Sequence, residues 1–147
     1  MVVFMIIYPH LSFDGKAEEA FTFYQSVLGG NFESGFHYFE DIPGAQIPDE
    51  EKRRIMHVNL IFSPDQQIMG SDSMPSAGHQ IHMGNNNHIS LGVDSKQQGK
   101  EFFEKLSEGG EIESPYQKMF WNAYFASFKD KFGESWMINY NLKENEE

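Results

Sequence analysis

The sequence predicts an α+β fold: two tandem β-α-β-β-β modules forming curved mixed sheets with helices on the outer face. Three observations predict it. The chain repeats itself at an offset of 80, with Leu11, Asp14, Lys16, Phe23, Gly29, Gly30, Glu33 and Ser34 falling on Leu91, Asp94, Lys96, Phe103, Gly109, Gly110, Glu113 and Ser114. Eight identities in 24 gapless positions mark a whole supersecondary unit. Each copy runs from an alternating apolar segment into an apolar stripe at helical spacing. Each stripe then ends at Gly-Gly, the left-handed stop of a helix.

Residues 4–13 (FMIIYPHLSF) are rich in strand formers, with Tyr8, His10 and Ser12 on one side and Ile7, Pro9, Leu11 and Phe13 on the other. Pro9 has no N–H to give to a ladder, so this strand belongs at a sheet edge or Pro9 at a non-pairing position. A helix follows over about 16–28, where Ala17, Ala20, Phe21, Tyr24, Val27 and Leu28 share one stripe. Asp14 or Gly15 is expected to cap it. A strand over 31–39 comes next. In the second copy Ile89, Leu91 and Val93 alternate with His88, Ser90 and Gly92. A helix over about 96–108 turns Phe102, Phe103 and Leu106 inward, and Ser95 with Gln98 reads as a capping box. A strand over 111–117 completes the repeated part.

Later strands are expected at 55–62 and 67–71 in the first copy, and at 120–128 and 136–140 in the second. Matching Asp65 to Asp130 sets these strands 65 apart instead of 80, so the first copy carries 15 additional residues. They fall in 40–54, an acidic, turn-rich insertion read as a loop or a flap. The tail 143–147 is charged and expected to fray. The whole chain, 1–147, reads as one domain of two modules, 4–73 and 86–142, joined by a linker at 74–85.

Composition excludes several function classes. The 147 residues include no cysteine, which removes disulfides and thiolate chemistry and suits a cytoplasmic setting. A formal net charge of −11 repels polyanions, so no nucleic-acid partner is expected. No apolar run approaches the roughly 20 residues of a membrane span, so no membrane partner is expected either. Met1–Tyr8 lacks a basic flank and reads as strand, not as a signal peptide. Fourteen phenylalanines suit two sheet–helix cores or an aromatic-lined cavity.

The sheet face away from the helices is polar. It carries Tyr8, His10 and Ser12, then Asn86, His88 and Ser90. His57 and Asn59 alternate with Met56, Val58 and Leu60, and Asn122 and Tyr124 with Trp121, Ala123 and Phe125. Two such faces side by side are expected to form a groove that encloses a ligand. A face turned to solvent or to a partner chain is the plainer alternative. No Lys or Arg stands on it, which speaks against an anionic phosphonate or phosphate there.

Several motifs carry a family resemblance. They are Ala17-Glu-Glu-Ala20 with Phe23-Tyr24 and Gly29-Gly30, Ile55-Met56-His57, Gly70-Ser71-Asp72 and Gly84-Asn85-Asn86. Gln117-Lys118-x-Phe120-Trp121 and Asp130-Lys-Phe-Gly133-x-x-Trp136-Met137 follow. In this order the chain resembles the PhnB-like branch of the vicinal oxygen chelate superfamily, which includes glyoxalases, bleomycin-resistance proteins and dioxygenases. The resemblance spans about 5–140 and implies a single glyoxalase-like domain and a homodimer.

In metal-using members each module gives one ligand from its first strand and one from its last. The matching positions are Tyr8 and His88 for the first strands, Met69 and Met137 for the last. Only His88 is an ordinary donor to a divalent ion, because thioethers do not serve a hard or borderline cation. No cofactor is therefore expected, and the metal-based activities are not carried over. The alternative is a metal-dependent glyoxalase- or dioxygenase-type enzyme using His88 with unusual partners, His10 and His57 among them.

Members of this branch are often described as demethylubiquinone methyltransferase-like. No Gly-x-Gly-x-Gly loop follows a strand here, so nothing cradles an adenosyl cofactor and that activity is not expected. Ser71, Asp72 and Ser90 lack a nucleophile elbow, and His79 with His82 sits on a Gly/Asn-rich loop that makes a poor metal clamp. Phe39, Phe120, Trp121, Phe125 and Trp136 form either an aromatic cage or plain core. The expectation is a cytoplasmic, homodimeric protein binding a small apolar or aromatic molecule. Its groove residues are Tyr8, His10, His57, Asn59, Met69, His88, Ser90, Asn122, Tyr124 and Met137.

Overall fold

The computed structural model describes residues 4–147, so the reading of 1–3 as strand lies outside the described residues. The chain divides into two compact units, Met1–His82 and Met83–Glu147, and each is described by itself.

In the first unit β1 (His10–Phe13) leads into α1 (Ala17–Leu28), then β2 (Asn31–Phe32), β3 (His37–Tyr38), β4 (Ile55–Ser63) and β5 (Gln66–Asp72). The sheet order is β1-β5-β4-β2 with β3 also on β4; β1 runs parallel to β5 and the other pairs are antiparallel. α1 packs on β4 and β5. Ala17, Ala20, Phe21 and Tyr24 are buried with Leu11, Phe13, Val58, Leu60 and Ile68. Phe21 meets Phe13 and Tyr24 edge-on, at 6.3 and 5.6 Å between ring centres.

Three expectations are corrected here. The first strand begins at His10, not at Phe4: Pro9 gives its carbonyl to the Met69 N–H (3.0 Å) but has no N–H to extend the ladder. Asp14 does not cap α1; it pairs with Arg54 at 2.8 Å. The helix start is held instead by buried Asp72 at the end of β5, which accepts from Ala17 N (3.0 Å) and Ile55 N (2.8 Å). The expected strand over 31–39 is split, because Ser34 and Gly35 both adopt positive φ. The insertion is a turn-rich loop, as expected, and it is fastened at both ends of its course. Glu51, 4 % exposed, accepts from both the N–H and the hydroxyl of Ser76 (2.8 and 2.6 Å), and Arg53 bonds Glu40 while lying 3.7 Å over the Tyr38 ring.

In the second unit β6 (Ile89–Gly92) and α2 (Lys96–Ser107) precede β7 (Glu111–Met119), β8 (Ala123–Lys129) and β9 (Ser135–Asn141). The order is β6-β9-β8-β7, with β6 parallel to β9 and the other pairs antiparallel. Half of the expected box is present: Ser95 Oγ accepts from Gln98 N (3.0 Å), while Gln98 Oε1 accepts from the N–H of Asp94 (3.1 Å), one residue before the cap, and not from that of Ser95. Leu106, Ala126, Phe128, Trp136 and Ile138 form the core. Buried Asp130 organises the β8–β9 turn, accepting from Phe132 N, Glu134 N and Trp136 Nε1. The tail folds back instead of fraying, since Glu146 accepts from the Tyr140 hydroxyl and from Lys143 N.

Register corrects the length of the insertion. His10, Met69 and Asn59 stand side by side in the first sheet, and Ser90, Met137 and Ser127 in the second. Met69 to Met137 and Asn59 to Ser127 are both 68 apart, against 80 for the early elements. The first unit therefore carries 12 additional residues, not 15. Asp65 and Asp130, used to match the turns, are not equivalent.

Candidate functional site

In each sheet, alternate residues turn away from the helix. In the first unit this places His10 and Ser12 of β1, Met69 and Ser71 of β5, and His57 and Asn59 of β4 on one face. His10 Nε2 lies 2.9 Å from Ser71 Oγ, and His37 of β3, which sequence reading passed over, pairs opposite His57 with ring centres 6.4 Å apart. Burial and the neighbouring His57 push His10 below the ordinary imidazole range. Asn59 is 2 % exposed; its Nδ2 donates to Gln67 Oε1 (2.9 Å) and Glu33 Oε2 (3.2 Å). The Glu33 carboxylate fixes which way the amide points, and Asn59 Oδ1 has no hydrogen-bond partner among the described residues. A buried acceptor in that state costs about 1–3 kcal/mol.

A cavity of about 450 Å³ adjoins this face. Ser12, Ser71, Asp72, Ser73, His79 and Gln80 form its polar side, and Phe39, Met56 and Ile81 its apolar side. His79 Nδ1 accepts from Met74 N (3.2 Å), which leaves Nε2 to carry the proton of the neutral ring. The Glu51–Ser76 bonds tie the insertion to the segment that supplies His79 and Ile81.

In the second unit Ser90, Ser127 and Met137 share the corresponding face. Here His88 Nε2 contacts Glu113 Oε1 (3.2 Å), and Ser127 Oγ donates to the same oxygen (2.9 Å). The bonds from Ser127 and His88 hold Glu113 below the usual carboxylate range. Glu113 is the repeat partner of Glu33, and Ser127 of Asn59, so the strand-to-glutamate bond exists in both halves. The repeat contained that signal: the two glutamates were visible 80 apart, but they read as plain symmetry.

Other expected residues fall elsewhere. Asn122 sits in the β7–β8 turn with φ 62, outside any strand. Because that turn takes up Phe120–Asn122, the alternation begins at Ala123 and Tyr124 lies opposite Tyr140, on the α2 side. Tyr8, 40 % exposed, precedes β1. Of the aromatic set, Phe120, Trp121 and Phe125 meet edge-on at 4.9 and 5.9 Å, while Trp136 is core and Phe39 lines the first unit's cavity.

The donor chemistry does not fit a divalent cation at the matched positions. Met69 lies between His10 and Asn59, and Met137 between Ser90 and Ser127, and a thioether is a poor ligand for such ions. Among the described residues no group of three or more His, Asp or Glu is arranged to hold a metal.

Two mixed sheets, each with a helix on one face and polar residues on the other, define a protein of the glyoxalase/bleomycin-resistance fold. A glyoxalase/bleomycin resistance protein/dioxygenase from Nocardioides, 18 % identical with TM-score 0.57 over 99 % of this chain and 89 % of its own, shows that fold alone. Residues 5–139 match the family described as 3-demethylubiquinone-9 3-methyltransferase, and the chain belongs to that family. Protein YjdN of Escherichia coli is 36 % identical, over 92 % of this chain and 95 % of its own. The crystal structure of PA1353 from Pseudomonas aeruginosa matches at 36 % identity and TM-score 0.84, covering 95 % of this chain and 99 % of that one. A PhnB protein from Bacillus cereus, also described as a putative 3-demethylubiquinone-9 3-methyltransferase, matches at 26 % and 0.73, covering 91 % and 98 %. The methyl donor that this description implies does not fit. The strand-to-helix loops are Asp14-Gly15-Lys16 and Val93-Asp94-Ser95, neither of them a glycine-rich cradle for an adenosyl group.

Proposed function

We propose that this chain is a small-molecule-binding protein of its family that works without a divalent ion at the matched positions. Its ligand is a small apolar or aromatic molecule bearing hydrogen-bonding groups. One observation carries the reading: the first unit's cavity sets an apolar wall of Phe39, Met56 and Ile81 against a polar one that includes Ser12, Ser71, His79 and Gln80, and apolar surface with convergent hydrogen-bonding groups is what holds and orients a small ligand. Its volume also lies in the range of such sites. The Ser71–His10 contact links it to the polar face. The homodimer and the cytoplasmic setting belong to the same proposal; exposed Phe4, Met5, Ile6 and Ile7 support the dimer as apolar surface that a second copy would cover.

Calorimetric titration with 2-naphthol, a neutral aromatic hydroxyl compound, tests the site. Binding should weaken at least about tenfold, or 1.4 kcal/mol, in Ser71→Val and in Met56→Asp. Equal binding by both variants sinks the reading. His88 and Glu113 favour one other reading, a metal-dependent enzyme, through their direct contact. Stoichiometric metal in protein purified without a His tag, with a melting shift by EDTA or Zn²⁺ that His88→Ala abolishes, would decide for it.

A further inference from the structure

The two repeats bury their helices unequally. α1 buries Ala17, Ala20, Phe21 and Tyr24, whereas the positions 80 further on are Gln97, Lys100, Glu101 and Glu104, all exposed. α2 instead buries Gly99, Leu106 and Ser107. An open cavity of about 510 Å³ remains between α2 and strands β7 and β8. Its aromatic side is Phe103, Tyr116 and Tyr124: Tyr116 stacks on Phe103 at 6.2 Å and meets Tyr124 at 5.4 Å. Tyr116 is firmly placed. Its hydroxyl donates to Lys96 O (3.0 Å) and fills the space that a Cβ at Gly99 would need, 2.3 Å away.

The other side sets two lysines, Lys96 and Lys100, against one carboxylate, Glu104, in a chain of net charge −11. Lys96 Nζ lies 4.5 Å above the Tyr124 ring, and Lys100 lines the same cavity. Lys100 stands 3.8 Å from Glu104, beyond hydrogen-bond distance, and both are well exposed. Lys96 has no ion pair within 4.0 Å among the described residues, and Glu146 acts on it from further off. One ammonium group over the Tyr124 ring and a second lining the same aromatic cavity are the chemistry that recognises a flat anion.

We infer that this cavity binds a planar aromatic anion, its ring against Tyr116 and Tyr124 and its carboxylate, sulfonate or phosphate on Lys96 and Lys100. It lies on the helix side of the second sheet, away from the polar face, and is independent of the reading above. Calorimetry with 1-naphthyl phosphate tests it, with inorganic phosphate supplying the charge without the ring and 2-naphthol the ring without the charge. The aryl phosphate should bind at least tenfold more tightly than inorganic phosphate. K96Q/K100Q, two exposed side chains, should weaken it at least tenfold and leave 2-naphthol binding unchanged. Ser71→Val should leave the aryl phosphate unaffected. Tyr124→Ala should weaken it too, with circular dichroism as the check on folding. Unaltered aryl phosphate binding by K96Q/K100Q, or equal binding of inorganic phosphate, overturns the assignment.

Discussion

Glu134 shows what one side chain does to stability. It stands in the β8–β9 turn, where burial and the nearby Asp130 carboxylate push it up to about 7. An unfolded glutamate titrates at about 4.3. Between these values the folded chain holds more protons than the unfolded one, so this residue's contribution to stability falls as pH rises from about 4.5 to 7. Glu134→Gln removes the charge and should flatten that slope. We expect the variant to melt at least about 2 °C higher at pH 8 and to gain much less at pH 5; an equal gain at both would refute the assignment. Single residues of this kind were poorly legible in the sequence. Asp72 looked like one polar residue in a Gly-Ser-Asp motif, yet it holds the start of α1 from 55 positions away. Asp14, the apparent cap, serves Arg54 instead. Partners so distant in sequence leave no local pattern.

At the level of elements, periodicity carried most of the information. Both helices, β4, β5 and β9 begin and end within about two residues of where alternation and Gly-Gly stops placed them. Legibility ended where a turn shifted the phase: Phe120–Asn122 moved Tyr124 to the helix side, since one residue of slip exchanges the faces of a strand. It ended as well where the match of Asp65 with Asp130 was chemical and not geometric. Gly70 displays a second constraint invisible to pattern. It lies on β5 beneath Phe21, and a Cβ there would stand 2.3 Å from Phe21 Cε2 and 3.1 Å from Leu11 O. Gly70→Ala should cost about 1–3 kcal/mol in urea unfolding. The cost should shrink in a Phe21→Leu background, which removes the ring edge. An equal cost in both backgrounds would show that the helix does not set the limit.

Across the molecule, the duplication has not produced two equal halves. The first unit covers its sheet with a helix whose inward residues Ala17, Ala20, Phe21 and Tyr24 are all 0 % exposed. The second offers Gly99 and Leu106 on a helix whose Phe102 and Phe103 are only half-buried. Apolar burial is worth about 25 cal/mol per Å², so α2, though it touches three strands, is expected to be held less tightly than α1. A mid-helix glycine costs it roughly a further 1 kcal/mol against alanine. Local opening follows such differences, with poorly packed elements exchanging from the low-stability end. Under native conditions the amides of Lys100–Ser107 should therefore exchange at least tenfold faster than those of Phe21–Leu28, equivalent to about 1.4 kcal/mol in opening free energy. Saturating 1-naphthyl phosphate should narrow that gap from the α2 side alone, because a ligand that bridges Lys96 and Lys100 of α2 to Tyr116 and Tyr124 stabilises the closed helix. Equal protection of the two helices in the free protein would mean that the loose packing of α2 has no energetic consequence.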